Sequence, residues 1–564
     1  MAAKASAPST AQAAISAGAR ASWLPMIIIL LAQIQMAFNV NALPVSIGPI
    51  VETLDTPATM VGTALVVYSL CVAAFVMLGA KLGKLFGERL VFQITVVIHG
   101  LAMGLMAISP DARVMIAAQA LAGLAAAALV PTLVVLVAAN YHGDQQAQAL
   151  GLLAGAPAMA GVLAFLLAGY LGTAFSWRYS FGLILVLSLA VLALSFRLKS
   201  VPRQKGVKID FVGALLIALA MILISLGFNN LNSWGVVMAK DAAPISLFGL
   251  SPAPFMVLIG IVFAQGFFTW SHYREKKAKT PLLSLQVLDS SHERSATFSL
   301  LIIGALGPAV NFLIPLYIQI VQGRTTLQTS IAVIPYTLAI FTAAVLIVRL
   351  YGRLAPRTIG MIAFITVSIG LTVLAFTISN DWGTPVVILG LVILGLGEGA
   401  LVTLLFNVLV TASPKELAGD VGALRGTTNN LSTALGTAFA SVVAVGLLSL
   451  FILGSVGANP LIPLELKAQV NLDSINFISN AQLQEVMAAT TATSEQVTEA
   501  VRINELARLR ALKASFLILA AIALLAIFPA RGLPNYVPGE VPTGELTENK
   551  TTKGAGKKKA AAAA

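Results

Sequence analysis

Long apolar runs separated by short polar connectors constrain this sequence more than any other feature. A bilayer core of ~30 Å is crossed by about twenty apolar residues in a helix, which satisfies its backbone polar groups within the segment. Runs of this length occupy residues 23–47, 58–80, 90–109, 113–137, 147–171, 176–197, 210–229, 252–272, 295–321, 327–348, 358–379, 384–411, 421–454 and 512–530. The pattern predicts an all-α polytopic membrane protein with about fourteen transmembrane helices.

The composition excludes several other classes of protein. A mean hydropathy of +0.90 with 10% charged residues is incompatible with a water-soluble fold of 564 residues. The net charge of +12 could suggest nucleic acid, but the basic residues form short clusters between apolar runs, without a basic face interleaved with aromatics. We therefore expect no nucleic-acid partner.

The sequence also lacks the common motifs of enzymes and metal sites. It has no glycine-rich phosphate loop and no His-Glu-x-x-His motif, and its four histidines are scattered. Cys71 lies within an apolar run. Because it is the single cysteine of the sequence, no internal disulfide can form. We expect no enzymatic activity, no cofactor and no metal.

Positive charges predict how the helices are oriented. Short connectors rich in Lys and Arg stay in the cytoplasm. The even-numbered connectors hold most of them: Lys81, Lys84 and Arg89 after the second run, Arg197, Lys199, Arg203, Lys205 and Lys208 after the sixth, Arg274, Lys276, Lys277 and Lys279 after the eighth, and Arg349, Arg353 and Arg357 after the tenth. This alternation predicts that both termini are cytoplasmic, in a protein of the cell (inner) membrane.

The segments outside the apolar runs differ in character. Residues 1–22 resemble a transit peptide as well as a plain cytoplasmic tail, and we favour the tail. The long outer segment 455–511 ends in an amphipathic pattern that predicts a helix leading into the last run, either as a cap on the outer mouth or as a connector. The tail 531–564 is of low complexity and is predicted to be disordered.

A weak internal repeat is visible. Gly83-Lys84-Leu85 with Arg89 follows the second run, and Gly352-Arg353-Leu354 with Arg357 follows the tenth. Parallel repeats of this kind are typical of transporters built from two related halves.

Several short motifs occur in a characteristic order. They are Asn39-Val-Asn-Ala-Leu-Pro44, Lys81-Leu-Gly-Lys-Leu-Phe-Gly87, Ser176-Trp-Arg-Tyr-Ser-Phe181, Ile209-Asp-Phe-Val-Gly-Ala214, Pro281-Leu-Leu-Ser-Leu285, Leu316-Tyr-Ile-Gln319 and Ala418-Gly419. In order and spacing they resemble the fourteen-span drug:proton antiporters of the major facilitator superfamily, from about residue 23 to residue 530.

The resemblance implies a particular domain organisation. It would place a six-helix bundle at 23–200, two extra helices with their linkers at 201–280 and a second six-helix bundle at 281–530. It also implies a monomer that moves small-molecule substrates through a central cavity by rocking its two bundles, with protons as the coupling ion. The loop motif after the second run would comprise Lys81, Gly83, Lys84, Gly87 and Arg89.

This sequence departs from the family pattern at charged positions. The family's membrane aspartate falls on Gln35, its loop aspartate on Lys84 and its arginine in the fourth span on Gln119. The antiporter signature of the fifth span is reduced to Ala164-Phe-Leu-Leu-Ala-Gly169. The resemblance therefore implies a transporter more firmly than a proton antiporter.

Glu398 is the clearest ionisable group within an apolar run. It lies in Gly395-Leu-Gly-Glu-Gly399, where small neighbours would let a helix or a substrate approach closely. Ionisable side chains near the bilayer centre cost ~2.5–3.5 kcal/mol on insertion scales, and they often mark function. We predict that Glu398 takes up and releases the coupling proton, the alternative being a carboxylate satisfied by a structural partner.

Uncharged polar residues within the runs are candidates to line the cavity: Gln35, Asn39, Asn41, Gln119 and Asn311. Polar side chains also hold membrane helices together, so either role fits these residues. Arg425 with Asn429, near the start of the thirteenth run, fits a snorkelling anchor better than a ligand.

These observations lead to a functional prediction with two alternatives. We expect a gradient-driven exporter of amphipathic, hydrophobic or cationic small molecules. The missing charges leave open an uncoupled facilitator or an exporter of lipids or metabolites. A non-transporting membrane sensor or scaffold is the third possibility.

Overall fold

A computed structural model of the chain describes residues 21–56, 58–199, 201, 203, 208–246, 248–324, 326–351, 353–380, 385–457, 459–462, 480–488 and 490–535. Most of the two predicted tails, the repeat residue Gly352 and the middle of the outer segment, 463–479, lie outside these residues.

Fourteen helices in the described residues are long and apolar enough to cross a membrane. They are α1 Leu24–Val45, α2 Ala58–Phe86, α3 Glu88–Ala107, α4 Ala112–Asn140, α5 Gly143–Ala174, α6 Trp177–Ser195, α7 Phe211–Trp234, α8 Pro252–Lys276, α9 Ser291–Leu316, α10 Thr326–Leu346, α11 Pro356–Thr377, α12 Pro385–Ala412, α13 Ala418–Gly457 and α14 Ser494–Leu525. The predicted all-α fold with fourteen spans is confirmed.

The largest difference from the predicted spans is at the last helix. The prediction begins it at residue 512, whereas α14 begins at Ser494 and includes the amphipathic stretch without a break. Thr493 and Gln496 form a reciprocal capping box at its start, which satisfies backbone N–H groups before the apolar part begins. A polar first half therefore extends the helix beyond the apolar run.

The helices pack in two sets with the same pattern. In the first set α2 packs on α4, α1 on α5, and α3 on both α4 and α6; in the second set α10 packs on α12, α9 on α13, and α11 on both α12 and α14. The repeated pattern agrees with the sequence echo after α2 and α10. Helices α7 and α8 pack on each other, and α7 also contacts α2 and α13.

Successive helices run in opposite directions, so their ends lie on two opposite faces of the protein. We call the face where α1 begins and the even-numbered helices end the basic face. There Asp210, at the start of α7, accepts hydrogen bonds from Trp270 near the end of α8 and lies 3.4 Å from the Arg274 guanidinium. On the opposite face, Arg178 at the start of α6 donates to the carbonyls of Ala107 and Ser109 at the end of α3.

The two sets touch through the parts of their helices nearest the basic face. Gly422 and Gly426 of α13 lie against Pro131 of α4 and Val76 of α2, while Gly155 of α5 lies against Ala344 of α10. These close contacts hold the two sets together near the basic face.

The described parts of the outer segment form a small cluster of their own. Met487, in the short helix Asn480–Ala488, packs with Ile462 and with Ile503 of α14. Asn459 donates to the Glu499 carboxylate at 2.6 Å, which ties the end of α13 to the start of α14. The role of the segment as a cap or as a connector stays a prediction.

Candidate functional site

Glu398 lies near the middle of α12, between α9 and α10. The Tyr336 hydroxyl of α10 donates to its Oε2 at 2.5 Å, and Gly307 of α9 lies against the carboxylate. The side chain is partly accessible, whereas Tyr336 is fully buried. No ion pair of Glu398 occurs among the described residues, so its one polar partner there is a neutral donor.

Glycines around Glu398 bring the neighbouring helices close, as their spacing predicts. Gly395 and Gly399 lie against the α10 backbone at Tyr336 and Ile340, and Gly397 lies against Val367 of α11. At Gly307, any side chain would overlap the carboxylate itself. The glycine positions on α9 and α12 therefore make the space that Glu398 occupies.

Asn311 lies one turn beyond Gly307 on α9 and is exposed. Residues four apart share one face of a helix, so Asn311 lies on the face of α9 that carries Gly307. This placement keeps Asn311 as a candidate to line a cavity next to Glu398.

Three of the predicted cavity residues are enclosed within the first helix set. Asn39 of α1 and Gln119 of α4 exchange two amide hydrogen bonds of 3.0 Å and are each 1% exposed. Gln35 accepts a hydrogen bond of 3.1 Å from Ser188 of α6 and is fully buried. In this conformation the three amides join helices, and their role in a cavity stays a prediction.

Asn41 is placed differently from its neighbours on α1. Its amide donates to the Ala37 carbonyl of its own helix at 2.7 Å, and its side chain is partly accessible. The amide oxygen lies opposite Gly161 of α5. Asn41 therefore has acceptor capacity that a ligand could use.

The predicted loop motif lies in the last turns of α2 and at the start of α3 rather than in a loop, because the helix continues beyond the apolar run to Phe86; it joins the two helix sets by ion pairs. Lys81 lies 2.9 Å from Asp420 at the start of α13, and Lys84 pairs with the other carboxylate oxygen of Asp420. All three side chains are at most 8% exposed. The lysine at the position of the family's aspartate thus has an acidic partner in the other half of the protein.

The remaining motif residues shape the turn. Gly87 has φ +96°, a region that side chains other than glycine rarely adopt, and it lets α3 begin directly after α2. Gly83 lies against the buried Glu88 carboxylate, and Arg89 donates to the Phe196 carbonyl at the end of α6. The motif therefore fixes the ends of α2, α3 and α6 on the basic face.

Sequence reasoning missed Asp420 and Tyr336. Asp420 could have been noticed as an acid at the edge of the thirteenth apolar run, but its partners are more than 330 positions away in the chain. Tyr336 is an ordinary tyrosine in an apolar run, and only the packing of α10 on α12 reveals its contact. In the described part of the chain, no three His, Cys, Asp or Glu side chains are grouped so that they could hold a metal ion.

Comparisons with known proteins give consistent results. The profile described as Major Facilitator Superfamily matches residues 29–437. The chain is 26% identical over 437 residues to the puromycin resistance protein pur8 of Streptomyces alboniger, covering 75% of this chain and 82% of that protein. It is also 26% identical over 426 residues to the multidrug efflux pump LfrA of Mycolicibacterium smegmatis, covering 74% of this chain and 80% of that one.

Solved structures show the same architecture. The proton:xylose symporter XylE aligns with a TM-score of 0.53 over 91% of this chain and 97% of its own, at 12% sequence identity. At this level of identity, the alignment is evidence for the fold only. The profile match covers most of the chain and, with the fourteen membrane helices and this fold, shows that this protein is an integral membrane transporter of the Major Facilitator Superfamily.

Proposed function

We propose that this transporter is a proton-coupled exporter of amphipathic or hydrophobic small molecules, working by alternating access. In this proposal it acts as a monomer in the cell membrane, with its basic face toward the cytoplasm. Relatives whose names describe puromycin resistance and multidrug efflux support export of small organic molecules. A proton moved across 100 mV yields ~2.3 kcal/mol, enough to concentrate a solute about fifty-fold.

The environment of Glu398 carries the coupling part of the proposal. A carboxylate in the membrane with a basic partner would stay charged, and it could not cycle a proton cheaply. Glu398 instead has a neutral hydroxyl donor, and it is partly accessible. Such a group can accept a proton when it is enclosed and lose it when water or cargo arrives.

The packing of the two helix sets supports alternating access. Close contacts hold the sets together near the basic face, while accessible polar groups such as Asn311 lie further along the helices. For access to pass from one face to the other, these contacts would separate while the opposite ends of the two sets come together. The ion pairs of Asp420 would then have to break in each cycle.

An uncoupled facilitator is the second candidate. The positions of the family's membrane aspartate and arginine hold Gln35 and Gln119, and both amides are buried and hydrogen-bonded in the first helix set. This half of the protein thus offers neutral groups where a coupled relative would carry charges. The two candidates differ in whether Glu398 alone can couple transport.

Flux into proteoliposomes separates the candidates. Vesicles with an acidic interior are supplied with a panel of amphipathic fluorescent dyes that includes anionic, neutral and cationic members. We expect uptake that needs the pH gradient in the wild type and that disappears in Glu398→Gln. The matched control is Glu416→Gln, because Glu416 is an exposed carboxylate between α12 and α13.

Two results would contradict the proposal. Equal uptake with and without the gradient assigns the protein to the facilitators. Absence of flux for every dye, with protein that is folded and inserted, favours a non-transporting role.

A further inference from the structure

Arg425 of α13 is a cation placed within a membrane-spanning helix. Its guanidinium lies over the ring of Phe406 of α12, with 4.0 Å between the guanidinium carbon and the ring centroid. Phe406 is fully buried, whereas Arg425 is partly accessible. The ring therefore holds the guanidinium on the α12 side of the helix, and the sequence-based interpretation as a snorkelling anchor stays a prediction.

The face of α13 near Arg425 is directed at the first helix set. Gly422 and Gly426 of α13 contact α4 and α2 near the basic face. Asn429 and Thr433 continue that face at steps of three and four residues, and both are exposed. Where the two sets separate, this face of α13 therefore borders the space between them rather than lipid.

The charge of Arg425 has no acidic partner in the described part of the chain. Asp420, one to two turns earlier on α13, is engaged by both Lys81 and Lys84. The ion pairs found among the described residues do not include Arg425. Because an uncompensated charge in a membrane span is costly, a role in binding would explain why it is kept there.

We propose that Arg425, with Asn429 one turn further along, binds an acidic group of the cargo: a carboxylate, sulfate or phosphate on an apolar body. The inference rests on the proposed export of amphipathic molecules and narrows their class to amphipathic anions. A guanidinium offers planar paired donors that match such oxyanions, and the Phe406 ring holds its plane in place. The exposed Asn429 amide adds a donor on the same wall.

Two ligands with the same tail and opposite head groups test the proposal. The full chain in lipid nanodiscs is titrated with decyl sulfate and with decyltrimethylammonium below their micellar concentrations, and binding is corrected with empty nanodiscs. We expect the wild type to bind the sulfate at least tenfold more tightly than the ammonium. In Arg425→Gln the affinity for decyl sulfate should fall at least tenfold, while that for decyltrimethylammonium stays within twofold.

The matched control is Arg531→Gln. Arg531 also lies over an aromatic ring, that of Phe528, but it is exposed after the end of α14. Its loss should leave both affinities unchanged. Arg425→Lys keeps the charge and loses the planar donors, and Asn429→Ala spares the arginine. Each of these two variants should lower the affinity for decyl sulfate by about threefold or more. Either variant can replace Arg425→Gln in the test if that protein does not fold.

Several outcomes would overturn the assignment. The first is that the wild type binds both ligands with equal affinity. The second is that Arg425→Gln lowers the affinities for both ligands to the same degree. The third is that inorganic sulfate displaces decyl sulfate at concentrations as low as those at which decyl sulfate itself saturates the site. That result would assign the site to a small inorganic anion instead of cargo. Because binding is measured without a gradient, preference for the sulfate in the absence of proton-driven flux would contradict the proposed function and leave this site standing.

Discussion

Single polar side chains in this protein show two ways to place such groups within a membrane. Asn39 and Gln119 exchange two hydrogen bonds inside one helix set. Glu398 has one neutral donor and remains partly accessible. The sequence marked Glu398 as unusual because few ionisable residues interrupt the apolar runs. The sequence alone could not distinguish buried amides from accessible ones, because the burial of an amide depends on how its helix is rotated and on partners distant in the chain.

The space around Glu398 leads to a prediction for Gly307. A methyl group in Gly307→Ala would overlap the carboxylate, so α9 or the Glu398 side chain has to move. We expect gradient-driven dye uptake to fall at least tenfold, because displacing a reacting group by about 1 Å can cost a hundredfold. Gly446→Ala is the control, since nothing lies within 4 Å of the added carbon. Equal uptake by the two variants would argue against a tightly fitted carboxylate.

The amide pair of Asn39 and Gln119 gives a prediction about stability. Asn39→Leu and Gln119→Met each leave the other amide buried without a partner, which costs ~1–3 kcal/mol. The double variant removes both amides, so its loss should be smaller than the sum of the single losses. The free energy of unfolding of the wild type, the two single variants and the double variant is measured in mixed micelles by circular dichroism. Additive losses would mean that the two amides act independently, as separate cavity groups would.

At the scale of helices, the contact between α2 and α13 stands out because it is made by charges. Lys81 and Lys84 at the end of α2 share Asp420 at the start of α13, and all are buried. The sequence motif located the lysines, but a charge reversed from the family pattern gave no indication of its partner. The packing of α13 across the two sets supplies that partner.

Removing the shared acid should open the basic face. In Asp420→Asn two buried lysines lose their counter-charge, and breaking a buried ion pair in this way costs ~3–5 kcal/mol. Spin labels introduced by Phe86→Cys and Glu416→Cys in a Cys71→Ser background report the separation of α2 and α13 by pulsed electron resonance. We expect the distance distribution to shift to longer values.

Asp241→Asn is the control for this experiment, because Asp241 is exposed on the opposite face. Its distance distribution should match that of the labelled parent. An unchanged distribution in Asp420→Asn would mean that apolar contacts alone, such as those of Gly422 and Gly426, hold the face closed.

At the scale of the whole molecule, the apolar runs were sufficient to predict the number of spans and the class of fold. Twenty apolar residues in a row have few alternatives to a membrane helix, so this level is encoded locally. The amphipathic pattern predicted a helix leading into the last span, and α14 includes it; the start at Ser494 was not predicted, because a polar first half lowers the hydropathy without ending the helix. The predicted domain boundaries and the side of the membrane remain predictions.

Thiol labelling tests the predicted orientation. Arg203, after α6, and Asp241, after α7, are exposed and lie on connectors to opposite ends of α7. In a Cys71→Ser background, a reagent that does not cross membranes should label Asp241→Cys in intact cells. It should label Arg203→Cys only after the cells are opened. Labelling of both in intact cells would contradict the alternating thread.

The central claim is that Glu398 exchanges its proton for cargo, and proton release on binding tests it most directly. Purified protein in weakly buffered detergent solution is mixed with a dye that it transports, and a pH indicator records the protons set free. The account predicts release from the wild type and from Glu416→Gln, and none from Glu398→Gln at saturating dye. Equal release from Glu398→Gln would show that another group carries the proton.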